Sequence, residues 1–272
     1  NFVKNALVNG VKAADGLNLA PWPKVDPSAH GPVEIIDLTK FKQISGAFLH
    51  RNWVKIPHVT QFDKADISVL ESWRKQNKAK AEQLGCKISP LILVIKLIVD
   101  VLKEFPCFNA SLSNDGKSLI KKKYYNIGVA VDSPNGLLVP VIKDVDKKNI
   151  VELAIEISNV AKQARTKGLS QSQMQGSSFT ISSLGGIGGT YFTPIVNAPD
   201  VAILGLSKAS FQPAYEDGSW VPKLMLPLSL SYDHRVIDGA DGARFIVELS
   251  KRLALAEHEL DVLWPKNVKG EV

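Results

Sequence analysis

Apolar residues recur at three- and four-residue steps in two segments of the chain, and each segment predicts an amphipathic helix. The first helix starts after Asn149, because Asn149 followed by Glu152 is typical of a capping box. The second helix is predicted over about residues 242–260. The apolar stripes are Ile150, Leu153, Ile157, Val160 and Ala164 in the first helix, and Ile246, Leu249, Leu253, Ala256 and Leu260 in the second.

Two more helices are predicted from residues typical of helix ends. A helix over about residues 66–84 has Asp66 as its cap and Gly85 as its C-terminal stop. Another helix, to about residue 104, begins at Ser89, because the proline that follows is tolerated at the first helical position. This second helix is apolar on most of its faces, so we expect it in the core.

Short runs rich in β-branched and apolar residues predict strands between these helices. Two of them are joined by an Asp-Ser-Pro-Asn-Gly segment that favours a hairpin-like connection. Helices and strands alternate with mostly non-local strand pairing, so we predict an α/β fold with a mixed sheet. The predicted strands are residues 124–131, 136–142, 177–183, 201–206 and 223–231.

The start of the chain has a different composition from the rest. Residues 1–32 carry several glycines and prolines without sustained periodicity, which is typical of a linker. The chain starts at Asn1 without methionine and shows no signal-peptide pattern, so we expect it to be a piece of a longer protein. A folded domain is predicted from Val33 onward.

Composition and charge exclude several classes of protein. The chain has 272 residues, 45% of them hydrophobic, which is ordinary for a globular domain and not for a disordered one. The net charge of +6 is scattered, and the short basic run at residues 121–123 is interpreted as solvated surface, so no nucleic-acid partner is expected. Charges interrupt the most apolar stretch, residues 88–105, so no membrane partner is expected either. Two cysteines are typical of a reducing compartment.

One histidine stands in a context that favours chemistry. His234 follows a predicted strand and precedes Gly239, a position from which its side chain can project into a cleft. Neutral imidazole can take a proton from a thiol or hydroxyl near pH 7, so general-base work fits it. Zinc ligation fits poorly because no second histidine or cysteine is nearby, and no metal is predicted. His50 and His58 flank an apolar stretch and are interpreted as structural.

Two serines end a predicted strand immediately before a glycine-rich turn. Ser182 and Ser183 are followed by the sequence Leu-Gly-Gly-Ile-Gly-Gly, which lets a ligand approach the backbone closely. The segment lacks the Lys-Ser/Thr pair of a P-loop. A serine here could act as a nucleophile or donate a hydrogen bond to an oxyanion, or the segment could be a plain glycine-rich turn.

The tripeptide Asp-Lys-Ala at residues 63–65 matches the surroundings of a lipoyl-bearing lysine. A lipoyl lysine needs a protruding hairpin in a small all-β domain. Lys64 precedes a predicted helix instead, so a lipoyl site at this position is rejected.

The segment SYDHRVIDGADGARF at residues 231–245 resembles the catalytic domain of the dihydrolipoamide acyltransferases, the central components of 2-oxo acid dehydrogenase complexes. The resemblance extends over about residues 21–260 and is closest to the bacterial acetyltransferases of pyruvate dehydrogenase complexes. Further motifs that carry it are residues 50–63, 127–145, 174–205 and 224–239.

The resemblance implies a chloramphenicol-acetyltransferase-like two-layer sandwich that forms trimers, with each active site shared between two subunits. It implies direct transfer of an acyl group between dihydrolipoamide sulfur and coenzyme A. His234 would be the general base, and Ser182 of the facing subunit would donate a hydrogen bond to the oxyanion. Asp238 would orient the loop through a charge-assisted bond, with Arg51 or Arg235 as its partner.

The resemblance also implies where coenzyme A, the only cofactor-like substrate expected on this chain, would bind. Arg74 would meet a phosphate, although a solvated helix arginine is the alternative interpretation. Ser89 lies at a predicted helix N-terminus suited to anions. Asp132 and Ser183 would lie along the pantetheine path.

For the whole protein, the resemblance implies a lipoyl group on a separate upstream domain and not on this part of the chain. The implied partners are the chain itself, as trimers or a cube of trimers, and the pyruvate dehydrogenase and dihydrolipoyl dehydrogenase components through upstream domains. A subunit-binding domain would precede the linker, the catalytic domain would span residues 33–262, and residues 263–272 would be an extension. A bacterial cytoplasmic location is expected.

Three alternatives stay open at this point. A scaffold of the same fold would organise partner enzymes without catalysis, but the residues His234, Asp238 and Ser182 that such a scaffold would lack are present. A related complex with succinyl or branched-chain groups is the second. A cysteine-nucleophile enzyme, the third, would need Cys86 or Cys107, and neither has a histidine nearby in sequence.

Overall fold

The computed structural model describes residues 21–134, 136–255 and 260–265. The chain divides into two units, Asn1–Leu38 and Thr39–Val272. In the described part of the first unit, Pro27–His30 forms one turn of 3-10 helix, and the Asp26 carboxylate accepts a hydrogen bond from the Ser28 amide at 3.0 Å. Most of the predicted linker, like the end of the predicted extension, lies outside the described residues.

The second unit alternates helices and strands. Its helices are α1 Lys40–Lys55, α2 Ser68–Gln76, α3 Lys78–Gln83, α4 Pro90–Glu104, α5 Ile150–Thr166 and α6 Gly239–Leu253. Its strands are β1 His58–Asp66, β2 Ala110–Leu112, β3 Leu119–Lys121, β4 Ile127–Val129, β5 Val131–Ser133, β6 Gly136–Leu138, β7 Val141–Ile142, β8 Phe179–Ser183, β9 Ala202–Leu206, β10 Ser210–Glu216 and β11 Ser219–Asp233. Two more 3-10 turns are Val145–Lys147 and Gln171–Met174.

Seven of these strands form one sheet in the order β1-β11-β9-β8-β4-β7, with β10 paired to β11. Strand β8 runs parallel to β4 and β9, and the remaining pairs are antiparallel. Two small hairpins, β2–β3 and β5–β6, stand apart from it. The mixed sheet with helices confirms the predicted α/β class.

The two faces of the sheet differ because side chains alternate along each strand. Phe179 and Ile181 of β8 belong to the main core, in which helix α4 and Phe245 of α6 are also buried. The Phe245 ring stacks on Phe108 with centroids 4.2 Å apart. Burying one such side chain contributes roughly 1.5–3 kcal/mol. Thr180 and Ser182, the alternate residues of β8, therefore point to the second face.

The predicted helix over residues 66–84 is wrong in its first and middle parts. Asp66 is the last residue of β1, and its carboxylate accepts a hydrogen bond from the Ser68 amide at 2.9 Å. The helix also breaks at Asn77, whose side chain donates to the Trp73 carbonyl at 3.0 Å and competes with the backbone for it. The stop at Gly85 is confirmed by a φ of 73°.

Other predicted bounds also differ from the observed ones. The last helix begins at Gly239 and ends at Leu253, so its predicted end at Leu260 is wrong, and residues 256–259 lie outside the description. The predicted hairpin pairs β5 with β6, while β4 and β7 join the main sheet. Lys64 lies inside β1, four residues before α2 begins, and donates a hydrogen bond to Gln212. Helix α5 and its Asn149 capping box are confirmed.

The end of the described chain packs on the domain. Trp264 meets Trp73 edge to face with centroids 5.9 Å apart, and the Asp261 carboxylate accepts a hydrogen bond from the Trp73 indole at 2.7 Å. Leu263 also packs against the main core. The start of the predicted extension is thus part of the folded unit. No helix within the described ranges is long and apolar enough to cross a membrane.

Candidate active site

A cavity of about 530 Å³ lies past the carboxyl ends of β8 and β9. It brings together three of the four residues predicted to bind coenzyme A, namely Arg74, Ser89 and Ser183. The fourth, Asp132, does not line this cavity and is exposed on the β5–β6 hairpin. The rest of the lining is Ile67, Glu71, Pro90, Leu91, Gly185, Gly186, Leu206, Ser207, Lys208, Ala209, Leu224 and Leu226.

Hydrogen bonds to two residues, Glu71 and Ile88, hold Arg74 at the edge of this cavity. Its guanidinium donates to both carboxylate oxygens of Glu71, at 2.7 and 2.8 Å, and to the Ile88 carbonyl at 3.3 Å. The bonds raise the pKa of Arg74 and lower the pKa of Glu71. Arg74 is therefore an oriented group and not a freely solvated helix arginine. Lys208, also in the lining, has no carboxylate within 4.0 Å among the described residues.

Ser89 stands at the N-terminus of α4 with extended backbone and makes no capping bond through its side chain. Pro90 follows it as the first helical residue, so the turn starts without needing that cap. The helix dipole makes this end of the 15-residue helix favourable for negative charge.

The side chains of the adjacent residues Ser182 and Ser183 lie on opposite faces of the sheet, because both residues belong to strand β8. Ser183 lines the cavity. Ser182 lies on the second face, in register with Gly205 of β9. The glycine turn that follows is tight, since a Cβ on Gly185 would lie 3.3 Å from the Ser207 carbonyl oxygen.

His234 directly follows β11 and is exposed. Its amide donates to the Pro57 carbonyl at 3.0 Å, and its ring lies 6.1 Å from the ring of the buried Tyr232. The residue before it, Asp233, is buried and accepts two short bonds from Arg235, at 2.6 and 3.0 Å. This clamp raises the pKa of Arg235 and fixes the turn that carries the histidine.

Asp238 occupies the N-cap position of α6 and makes no capping bond through its side chain. Neither expected partner contacts it within the described chain. Arg235 is paired with Asp233, and Arg51 donates to the side-chain oxygen of Asn52 at 2.8 and 3.1 Å. A charge-assisted bond between Asp238 and either arginine is therefore not formed inside one chain.

The strand register separates Ser182 from His234. Ser182 pairs with Gly205, and Gly205 pairs with Ser229 of β11. At about 3.4 Å per residue, His234 lies about 17 Å farther along β11 than Ser229. Within one chain, the side chains of Ser182 and His234 are therefore too far apart to act on the same substrate atom.

A buried ion pair near this region was not predicted. The Lys122 ammonium lies 3.1 Å from Asp200 Oδ1, and Thr180 donates to Asp200 Oδ2 at 2.9 Å. Burial raises the pKa of Asp200, and Lys122 opposes that shift. The interpretation of residues 121–123 as entirely solvated surface is wrong for Lys122, whose side chain is only 7% exposed. A run of three lysines carries no signal that its middle member is buried.

The interpretation of His58 as structural is confirmed. Its Nε2 accepts a hydrogen bond from the Val196 amide at 2.9 Å, so Nδ1 is the donor to the Ile56 carbonyl at 2.8 Å. Both imidazole nitrogens of His58 are therefore hydrogen-bonded to backbone groups. Within the described ranges, no group of three or more His, Cys, Asp or Glu side chains is arranged to hold a metal ion.

Residues 30–260 match the model of the family described as 2-oxoacid dehydrogenases acyltransferase (catalytic domain). Among curated relatives, the chain is 57% identical over 248 residues to the dihydrolipoyllysine-residue acetyltransferase component of the pyruvate dehydrogenase complex of Haemophilus influenzae. That match covers 90% of this chain and 44% of the relative, so the chain spans about half the length of such relatives.

Solved structures are similar over most of the chain. The dihydrolipoamide acetyltransferase of Azotobacter vinelandii is 53% identical with a TM-score of 0.86, covering 90% of this chain and 99% of that one. The cubic core of a pyruvate dehydrogenase multienzyme complex is 52% identical, with the same TM-score and coverage. Chloramphenicol acetyltransferase, 16% identical with a TM-score of 0.50 over 81% of this chain and 99% of its own, confirms the predicted fold.

Proposed function

Because the chain belongs to the family of 2-oxoacid dehydrogenase acyltransferase catalytic domains, we propose that it transfers an acetyl group between dihydrolipoamide sulfur and coenzyme A in a pyruvate dehydrogenase complex. The observation that carries the proposal is the end of β8. There Ser183 lines the cavity that Arg74 and Ser89 share, and Ser182 points to the other face of the sheet. A long thiol-bearing arm bound in the cavity would have to pass around the end of β8 to reach the proposed oxyanion donor on the other face.

Coenzyme A fits the charge of this cavity. Its phosphates would lie near the N-terminus of α4, where Ser89 offers a hydroxyl and Lys208 offers an ammonium that pairs with no carboxylate of the described residues. Arg74, already bonded to Glu71, would contribute direction more than net charge. The pantetheine chain would pass Ser183 toward Ser182.

The base would come from a second copy of the chain. Within one chain His234 is about 17 Å farther along the sheet than the row of Ser182. In a ring of identical subunits, the His234 end of one copy can face the Ser182 end of the next. The similarity to the cubic core of a pyruvate dehydrogenase complex supports self-association into trimers and larger assemblies.

The reaction balances without a covalent enzyme intermediate. Neutral His234 takes the proton of the coenzyme A thiol, and the sulfur attacks the carbonyl carbon of S-acetyldihydrolipoamide. The Ser182 hydroxyl of the facing copy donates a hydrogen bond to the resulting oxyanion. Such a donor is typically worth about 3–4 kcal/mol of barrier. Collapse breaks the bond to the dihydrolipoamide sulfur, which takes the proton back from the histidine.

Asp238 would orient the turn after the base. It stands at the N-cap of α6, so a bond across the subunit interface could reach it where none forms within the described chain. Crystallographic and enzymatic work on the Azotobacter relative concerns a serine, a histidine and an asparagine of its mechanism. These residues have the same spacings as Ser182, His234 and Asp238, which supports the three assignments and indicates that the role does not require a negative charge.

The remaining proposals concern the whole protein. The lipoyl group would be carried on a separate upstream domain, and the pyruvate dehydrogenase and dihydrolipoyl dehydrogenase components would associate through upstream domains. A bacterial cytoplasmic location follows from the nature of that complex. The second candidate function, a scaffold without catalysis, is disfavoured because His234, Asp238 and Ser182 are all present.

Acyl transfer by the purified chain tests the proposal. With dihydrolipoamide as acceptor, acetyl-coenzyme A should be used at least tenfold better, by kcat/KM, than succinyl-coenzyme A. The reason is that an acyl site built for one small group discriminates against a larger, charged one. A chain that forms trimers yet transfers neither group would favour the scaffold.

A further inference from the structure

Four residues form a row across the second face of the sheet. Ser182, Gly205, Ser229 and Phe62 are in register on β8, β9, β11 and β1. Residues paired in this way point to the same side, so the row runs from the proposed oxyanion donor toward the edge strand. Gly205 is the only member of the row without a side chain.

The ring of Phe192 lies directly over Gly205. A Cβ on that glycine would lie 2.6 Å from Phe192 Cζ and 2.9 Å from Cε1, closer than any side chain can stand. Neighbouring strands are about 4.8 Å apart, so the ring over Gly205 lies one strand away from Ser182. The aromatic ring is therefore the nearest bulk to Ser182 along the row.

Backbone and side-chain bonds fix the loop that carries Phe192. The Leu184 amide donates to the Leu206 carbonyl at 2.8 Å. At the other end, the Val196 amide donates to His58 and the Val196 carbonyl accepts from Asn52 at 3.1 Å. These bonds anchor both ends of the loop that places the Phe192 ring over Gly205.

Beyond the ring the row continues to Ser229 and Phe62. The Ser229 hydroxyl is buried and has no hydrogen-bond partner among the described residues. Phe62 and Tyr191, farther along, are both partly exposed and meet edge to face with centroids 5.3 Å apart. Removing the Phe192 ring would open a space over Gly205.

We propose that Phe192 limits the size of the acyl group, because its ring occupies the space over Gly205, next to Ser182 in the row. This inference rests on the proposed function, in which the reacting carbonyl lies beside Ser182. An acetyl methyl group fits between the carbonyl and the ring, whereas a longer acyl chain directed along the row meets the ring. A pocket wall of this kind discriminates by roughly 10–200-fold per methylene group.

The test compares acetyl- with butyryl-coenzyme A, using dihydrolipoamide as acceptor, in the full chain and in Phe192→Ala. The ratio of kcat/KM for butyryl over acetyl transfer should rise at least tenfold in the variant. Tyr191→Ala is the matched control, because it removes the neighbouring aromatic side chain that does not cover Gly205. Its ratio should stay within twofold of the unaltered chain.

Three further variants keep the test decisive if Phe192→Ala folds poorly. Phe192→Leu retains apolar bulk and should still raise the ratio severalfold. Gly205→Ala forces the ring aside and should lower acetyl transfer, and the double variant with Phe192→Leu should recover part of it. An unchanged ratio in a folded Phe192 variant overturns this inference alone, whereas absence of acetyl transfer by the unaltered chain overturns the proposed function.

Discussion

Lys122 and Asp200 form an ion pair, 3.1 Å long, in which the carboxylate side chain is fully buried and the ammonium nearly so. Thr180 of β8 donates to the same carboxylate, so the pair links the Lys122 segment to the strand that contains Ser182. Breaking such a pair leaves one buried charge without a partner. The pair is thus a structural support for the strand that carries the proposed oxyanion donor.

Lys122→Ala should lower the free energy of unfolding by about 3–5 kcal/mol, because Asp200 would remain buried without its cation. Urea denaturation of the variant measures this directly. Lys123→Ala, on the exposed neighbour, is the control and should change stability by about 0.5 kcal/mol or less. Equal effects of the two substitutions would contradict a special role for the buried pair.

The loss caused by Lys122→Ala should depend on pH. Burial raises the pKa of Asp200, so the folded state holds a proton on this carboxyl more tightly than the unfolded state. Removing Lys122, which opposes that shift, should raise the pKa of Asp200 further, so the stability of the variant relative to the unaltered chain should recover as the pH is lowered from neutrality toward the ordinary range of an aspartate and the carboxyl protonates. A deficit that stays constant or grows over this range would contradict the prediction.

His234→Ala should reduce turnover by about 10²–10⁴-fold, because the coenzyme A thiol needs a base near pH 7. Coenzyme A affinity, measured by calorimetry, should stay within tenfold, since the predicted binding residues lie in another part of the chain. His50→Ala, on the exposed surface of α1, serves as the control and should leave turnover unchanged. Near-normal turnover in folded His234→Ala would remove the histidine from the mechanism.

Asp238→Asn should keep most of the activity, and Asp238→Ala should lose about tenfold or more. The reason is that an amide keeps the oxygen that accepts a hydrogen bond and loses only the charge. Steady-state kinetics of both variants at pH 7 provide the comparison. If the asparagine variant were as impaired as the alanine variant, the carboxylate charge itself would be required.

Cys86→Ser and Cys107→Ser should both retain acetyl transfer within about threefold. Burial raises the pKa of each thiol, which keeps it protonated and poorly nucleophilic. Mass spectrometry of the intact chain after exposure to acetyl-coenzyme A alone is the direct check. An acetyl group on either cysteine that then passes to dihydrolipoamide would establish an acyl-enzyme route.

The parts of the fold predicted well are those encoded by local signals. Helix α5 begins directly after Asn149, as predicted, because the Asn149–Glu152 capping box acts within one turn. The Arg74–Glu71 pair was missed although its three-residue spacing on a helix is a local signal of the same kind. Opposite charges three residues apart on a predicted helix are sufficient to predict this pair.

Other features depend on tertiary contacts that no local pattern contains. The burial of Lys122 requires Asp200, which lies far along the chain on another segment. The separation of Ser182 from His234 follows only from the register of three strands. The position of Phe192 over Gly205 likewise depends on how a loop without helix or strand structure crosses the sheet.

The measurement that tests the central claim most directly is complementation between two inactive variants. His234→Ala and Ser182→Ala subunits are unfolded together, refolded as mixed trimers and assayed for acetyl transfer. Since each site would take its histidine from one copy and its serine from the next, about a quarter of the sites should be intact and activity should return to about that fraction. Mixed trimers that stay as inactive as their parents would contradict a site shared between subunits.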